Sequence, residues 1–272
     1  MKEQQDLDRL TREATDIRRK IISYSNHAKL PHLASCLSCV DILVALYFSA
    51  GRIDPKRADD PARDRIILSK GHGAPALFQV LAKAGFYDEA LLFEADHGNG
   101  LFGEHPPKPG YLPGIEAATG SLGHGFPMGC GFALSAKIRQ MHYHTYCILG
   151  DGECNEGSIW EAAMLASANK LDNLTIFVDY NRWQATGRSD EILNQAALRQ
   201  RFEAFGFASY DIDGHDMGAL LNAAHHREAR RPCAFICRTV KGKGVSFMED
   251  DNNWHYKIPN DEELKQALAE LQ

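Results

Sequence analysis

Apolar residues at Leu7, Leu10, Ala14, Ile17 and Ile21 recur at three- and four-residue spacing, which predicts an amphipathic helix near the start of the chain. A second apolar helix is expected over roughly 38–50. Short apolar runs bounded by Gly, Pro or polar residues predict strands at 66–68, 146–149, 174–179, 209–212 and 234–238. Helical patterns intervene near 74–84, 125–140, 157–169, 194–205 and 216–229. Apolar strands separated by helices imply an α/β fold, a doubly wound, mainly parallel sheet with helices on both faces. There is no internal repeat and no Ser- or Pro-rich linker, so residues 1–272 read as a single domain. Two stretches, 96–124 and 241–260, lack periodicity and are rich in Gly or polar residues. Long irregular segments inside a compact domain are usually functional.

Composition narrows the function classes. Apolar residues are 44% and charged residues 24% of 272, as in an ordinary soluble globular protein. The longest apolar run, 40–48, is nine residues and contains Asp41. A membrane span needs about 20. A net charge of −6 gives nucleic-acid binding no electrostatic support. The first residues, MKEQQDLDRL, contain no hydrophobic signal core, so a cytoplasmic location is expected. Seven cysteines, an odd number, fit reduced thiols better than a disulfide framework. Cys36 and Cys39 form a CxxC, but no second pair of zinc ligands follows at finger-like spacing, and a buried helix is the better reading. His142 and His144 are expected at an exposed strand entrance. His97, His225 and His226 have no motif partner and read as structural or exposed. The chain has no Walker A sequence, nucleophile elbow or HExxH.

The chemistry concentrates at 150–181. The strand HTYCILG runs into Gly150-Asp151-Gly152, and the next strand, LTIFVDY, runs into Asn181. The 28 residues between Gly152 and Asn181 hold one crossover helix. A right-handed crossover makes the strands parallel and neighbouring, with Asp151 and Asn181 side by side at the carboxyl edge, where open α/β sheets bind ligands. Magnesium takes six oxygens, only one or two of them from carboxylates. One Asp carboxylate, one Asn amide oxygen and a backbone carbonyl near Trp183 make half a shell, and a diphosphate and a water complete it. The glycines around Asp151 allow backbone to approach a phosphate closely.

GDG-x28-N resembles the binding motif for thiamine diphosphate and its metal ion, and 150–181 is similar to the transketolase family in particular. SKGHGAPALF (69–78) resembles that family's cofactor-binding histidine segment. GEHPPKPGYLPGIEAATGSLGHG (103–125) is similar to its His-Pro loop and diphosphate-cradling turn, and TVKGKGVSFMEDDNNWH (239–255) to its closing loop. The resemblance runs from about residue 10 to 258 and implies the amino-terminal, diphosphate-binding half of a transketolase, with a thiamine diphosphate-binding fold. It implies thiamine diphosphate and Mg²⁺ or Ca²⁺ as cofactors. Asp151 and Asn181 would hold the metal by side chain and Trp183 by its carbonyl. Gly152 and His72 would contact the diphosphate, with Glu153, Asn181 and His255 on the same cofactor. Gly120, Ser121 and Leu122 would pack against it. His32 and His105 would face sugar hydroxyls and move protons. Glu156 would reach toward a glutamate of the partner half. Two departures stand out. Pro31-His32-Leu33-Ala34 replaces the family's Gly-His-Pro-Gly, leaving His27 as a competitor, and Tyr256 follows His255 where the family often has Gly.

The resemblance further implies that the pyrimidine-binding domain is carried by a second chain, and that this chain is inactive alone. An α2β2 heterotetramer with active sites at its interfaces is the expected assembly. The expected reaction moves a two-carbon ketol unit from an acidic ketose to an aldose. Two alternatives stand beside it. The alpha subunit of a 2-oxo acid decarboxylating dehydrogenase shares GDG…N, although TGSLG, EHP and KGKG speak against it. The other is a non-catalytic cofactor-binding half.

Overall fold

The computed structural model describes residues 2–94 and 101–271, and His97 lies outside them. In chain order the helices are α1 (Lys2–Ala28), α2 (Leu33–Ser38), α3 (Val40–Ala45), α4 (Ala74–Ala84), α5 (Ala90–Glu94), α6 (Gly125–Ile138), α7 (Gly157–Ala168), α8 (Ser189–Ile192), α9 (Leu198–Ala204), α10 (Met217–His225) and α11 (Asp261–Glu270). The strands are β1 (Arg65–Leu68), β2 (Thr145–Gly150), β3 (Leu174–Tyr180), β4 (Ala208–Asp213) and β5 (Cys233–Arg238). They form one sheet in the order β1-β2-β3-β5-β4, and every pairing is parallel.

Side-chain alternation along the strands produces the two layers. Tyr146, Ile148, Phe177 and Phe235 join one core, with Leu10 and Ile17 of α1, Leu43 of α3, Phe78 of α4 and Leu220 of α10. Cys147, Leu149, Ile176, Val178 and Ile236 join the other, with Phe126 of α6, Ile159 of α7 and Phe202 of α9. The sheet is therefore covered on both faces, as its continuous apolar strands require. No helix among the described residues is long and apolar enough to cross a membrane.

Several boundaries differ from the sequence pattern. The apolar helix expected over 38–50 starts earlier and is broken into α2, α3 and a π-helical turn, Leu46–Ala50. The break falls at Cys39 (φ −95°, ψ 4°), beside Ser38, whose hydroxyl reaches Asp179 Oδ2 at 2.7 Å. α11 has no counterpart among the expected helices, although Leu264, Ala267, Leu268 and Leu271 recur at helical spacing within a mostly polar segment. It starts on a capping box, in which the Asn260 side chain accepts from the Glu263 amide and the Glu263 carboxylate accepts from the Asn260 amide. Arg19 then ties its end to α1, donating to the carbonyls of Leu268 and Leu271 at 2.7 Å each. Cys36 and Cys39 are buried, and burial pushes their thiols up to about 12 and about 11. His142 is exposed, but His144 is not. It lies just before β2, as expected, but it is buried, with Nε2 2.9 Å from Thr175 Oγ1 at the start of β3 and its ring packed on Tyr146.

The Gly-rich start of α6 sets how closely that helix lies on the sheet. A Cβ at Gly129 would sit 2.2 Å from Cys147 Sγ on β2, whereas one at Gly131 meets nothing within 4 Å. Gly129→Ala should therefore destabilise the chain by about 1–3 kcal/mol through overpacking. Gly131→Ala should be neutral or gain up to about 1 kcal/mol of helix propensity. Urea denaturation of the two variants checks this, and equal shifts would show that α6 is not held at that distance.

Candidate functional site

Because the strands are parallel, the segments that leave them gather at one edge. β1 leads into Ser69, Lys70, Gly71 and His72, β2 into Asp151 and Gly152, β3 into Asn181, and β5 into Thr239. A buried ion pair joins these ends. Lys70 Nζ lies 2.5 Å from Asp179 Oδ2, with the two side chains 1% and 0% exposed. Lys70 also donates to the Ser35 carbonyl at 2.8 Å. Asp179 further accepts from the hydroxyls of Ser38 and Thr239 and from Asn181 Nδ2. Burial acts to raise the Asp179 carboxyl, but Lys70 and the hydroxyl donors outweigh it and hold it below its ordinary value.

Above this pair lies a cavity of about 360 Å³. Four histidines from four segments line it: His32, His72, His105 and His255. The His32 ring centroid is 5.5 Å from His72, 6.4 Å from His105 and 4.9 Å from His255. His32 sits in the left-handed region (φ 65°) just before α2, and its amide donates to the His255 carbonyl at 2.8 Å. The unusual Pro-His-Leu-Ala sequence thus still delivers its imidazole to the cavity. His27, the competitor, lies on α1 with Nε2 3.1 Å from the Phe93 carbonyl, and it does not line the cavity. Burial lowers the pKa of His32, while Glu104, 3.6 Å from Nε2, pulls it back up. His32 Nδ1 is buried without a hydrogen-bond partner, an acceptor or donor left for a ligand. His72 is pushed well below its ordinary value by burial and then by Lys70.

Asp151 and Asn181 meet at the cavity as the register of β2 on β3 requires, with Gly150 paired to Asp179. Asp151 accepts from the amides of Gly152 and Arg182, both at 2.9 Å, and from Ser189 Oγ at 2.8 Å. Asn181 Oδ1 accepts from the Trp183 amide at 3.1 Å. Burial, and then the nearby Asp179 charge, pushes the Asp151 carboxyl up to about 7. A buried carboxylate beside an amide oxygen suits a divalent cation, which would stabilise the ionised form.

The turn expected to cradle a phosphate packs on the His72 segment. A Cβ on Gly71 would lie 2.4 Å from the Gly120 nitrogen, and Gly120 itself has φ +141° with His105 Cδ2 2.5 Å from where its Cβ would be. Gly120 and Leu122 line the cavity, while Ser121 is exposed and does not. Glu153 is 1% exposed and its carboxylate accepts from Ser69 Oγ and from the amides of Gly123 (3.0 Å) and Gly150 (3.2 Å). Those oxygens are thus committed to protein donors that hold the turn against β2. Glu156 lines the cavity from an exposed position just before α7.

Residues 11–271 match the family model described as transketolase, thiamine diphosphate binding domain. The chain belongs to the transketolase family. It is 40% identical over 266 residues to an apulose-4-phosphate transketolase subunit from Actinobacillus succinogenes, covering 97% of this chain and 96% of that one. It is 38% identical over 271 residues to a 6-deoxy-6-sulfo-D-fructose transketolase subunit from Clostridium sp., covering 99% and 98%. It superimposes on the crystal structure of a transketolase from Campylobacter jejuni with a TM-score of 0.86 and 29% identity, covering 97% of this chain and 43% of that one. The chain thus spans less than half of this solved transketolase, but nearly all of the two subunits. The match decides for the transketolase thiamine diphosphate-binding domain over the 2-oxo acid dehydrogenase alternative.

Around the cavity of this transketolase domain lie further residues, among them Lys241, Asp250 and Arg188, that have no individual role in the sequence reading above. Lys241 is fully buried and its Nζ lies 2.9 Å from His255 Nδ1 and 2.7 Å from Asn252 Oδ1. Accepting at Nδ1 leaves the ring proton of His255 on Nε2. Burial and Lys241 push His255 down to about 3, and burial with Lys70 nearby brings Lys241 down to about 7. Over the mouth, Asp250 accepts from Trp183 Nε1 at 2.8 Å and from both Arg188 Nη atoms at 2.6 Å, while the Arg188 guanidinium stacks 3.8 Å above the Trp183 ring. This clasp joins the segment after β3 to the loop after β5.

Asp179→Ala should leave the Lys70 ammonium buried without its carboxylate and cost about 3–5 kcal/mol. Chemical denaturation of the variant measures it. A loss under about 1 kcal/mol would show that water reaches Lys70 and that the pair does not hold the edge.

Proposed function

We propose that this chain is the diphosphate-binding subunit of a two-chain transketolase, which moves a two-carbon ketol unit from an acidic ketose to an aldose. The observation that carries the reading is the convergence of His32, His72, His105 and His255 on the cavity that also presents Asp151 and Asn181. The split form is supported by the two subunit relatives, matched over 96% and 98% of their own lengths. Both are named for ketoses carrying an anionic group, a phosphate in one and a sulfonate in the other, which supports an acidic donor. A second subunit supplies the pyrimidine-binding side, and two copies of each give closed twofold symmetry. Seven free, buried cysteines support a reducing compartment, the cytoplasm.

Asp151, Asn181 and the Trp183 carbonyl would hold Mg²⁺ or Ca²⁺, which would supply positive charge to offset that of a diphosphate. His72, His255 and the Gly152 amide would meet the same diphosphate, and the Gly120–Leu122 turn would pack beside it. When bound, the cofactor supplies the carbanion chemistry, which belongs to its thiazolium ring. The protein's part is placement and proton handling. His255, neutral with its proton on Nε2, is set to donate. His32 and His105 stand at the entrance and would hold and move the protons of sugar hydroxyls. Glu156, exposed at the rim, would face the second subunit.

Two substitutions separate anchoring from proton transfer. Asp151→Ala removes the one charged metal ligand, so calorimetry of the reconstituted complex with Mg²⁺ should show a large loss of thiamine diphosphate affinity. Unchanged affinity would remove Asp151 from the metal site. His105→Ala should leave the cofactor titration nearly normal and slow ketol transfer by roughly 10²- to 10⁴-fold, the usual worth of a general acid–base group. Wild-type turnover would return His105 to a structural role.

A further inference from the structure

At the opposite end of the sheet lies a second, larger cavity of about 620 Å³, where β2 and β3 begin. Arg52, Lys137, His142, His144, His225 and Arg227 reach it, so cationic and imidazole groups dominate its polar wall. Two carboxylates share that wall, and each is already committed. Asp64 is buried and accepts from the Arg52 guanidinium and amide and from the His144 amide at 2.8 Å. Asp172 pairs with Lys137 at 2.8 Å and accepts the Arg230 amide. Arg227 differs. Its Nη1 donates to the carbonyls of Ala224 and His226, both at 2.7 Å, and its Nη2 to the Tyr146 hydroxyl at 2.9 Å. All three acceptors are neutral, and no carboxylate among the described residues pairs with it. The guanidinium is thus held in place by neutral acceptors while its charge stays uncompensated at the cavity.

The rest of the wall is built for a polar ligand. The His144 ring packs 4.6 Å from Tyr146, and Arg52 and Arg227 both add positive potential at it, on top of the burial that already lowers its pKa. Asn173 also lines the cavity, with its Nδ2 donating to the Ala133 carbonyl at 2.9 Å. A guanidinium fixed in place recognises phosphate oxygens well. We propose that this cavity is a second binding site, distinct from the carboxyl-edge site, for a small organic phosphate carrying hydroxyl groups, with Arg227 as its principal anchor. The cavity exceeds what inorganic phosphate alone would fill, which leaves room for a hydroxyl-bearing part. The two cavities lie at opposite ends of β2 and β3, so both can be occupied together.

The test titrates glucose 6-phosphate, inorganic phosphate and uncharged glucose into the full chain, already saturated with thiamine diphosphate and Mg²⁺ and followed by amide NMR. Glucose 6-phosphate should shift the amides of His144, Asn173 and Arg227 in a saturable way. Inorganic phosphate should do so more weakly, and glucose not at all. Arg227→Gln, at an exposed position that meets the core only at Tyr146, should weaken glucose 6-phosphate binding roughly tenfold or more. Shifts confined to the carboxyl-edge residues Gly152 and His255, equal response to glucose, unchanged affinity in Arg227→Gln, or no saturable binding would each overturn the proposal.

Discussion

The carboxyl edge of this sheet is organised around one buried ion pair. Lys70 follows β1, and Asp179 is the penultimate residue of β3, two strands away. Taking two charges out of water costs several kcal/mol per ion. Only a saturated set of partners offsets that cost, and here they come from α2 and from the segments that leave β3 and β5. α2 gives the Ser35 carbonyl and Ser38 hydroxyl, the segment after β3 gives the Asn181 amide, and that after β5 gives the Thr239 hydroxyl. Three segments of the pair and its partners also carry or adjoin a cavity residue, His32 ahead of α2, His72 after Lys70 and Asn181 itself, while Lys241, two residues past Thr239, lies beneath the cavity against His255. Satisfying one charge pair thus sets the relative positions of the groups that line the site.

Glu153 performs a second, smaller version of the same task. Its carboxylate joins Ser69, Gly123 and Gly150, which come from the ends of β1, the Gly-rich turn and β2. The turn can then lie on Gly71 at a distance that only two glycines allow. The role of such an acid is to fix the cradle's position, and it shows why a buried carboxylate at a cavity wall need not be a binding group.

The electrostatics of the cavity are those of a site prepared for charge it does not itself supply. Asp151 is raised, Lys241, His72 and His255 are lowered, and burial is the first cause in each case. An acid and several bases are each displaced toward neutrality. A bound cation would favour the ionised Asp151, and a bound anion would favour the protonated Lys241. This pattern of opposite shifts in one cavity is the expected signature of a functional centre.

Much of this was legible in the chain alone, because two signals are local. Strand–helix alternation fixed the fold class, since apolar runs of three to six residues between helical patterns have few solutions other than a covered parallel sheet. The placement of Gly150-Asp151-Gly152 and Asn181 at successive strand ends put both at one edge, because parallel strands end together. Tertiary structure alone decided the rest. The insertion of β5 between β3 and β4 depends on packing that no local pattern encodes. Lys70, Asp179 and Lys241 lie within segments singled out in the sequence, but no local pattern gives them their own role, and their burial follows from partners distant in the chain. The same holds for His144, read as exposed but enclosed by the start of β3, and for α11, whose capping box is local but whose docking rests on Arg19. Residue type and spacing set which groups reach the sheet edge. Long-range satisfaction of buried charge decides which of them are held there, since a buried polar group costs too much to leave unpaired.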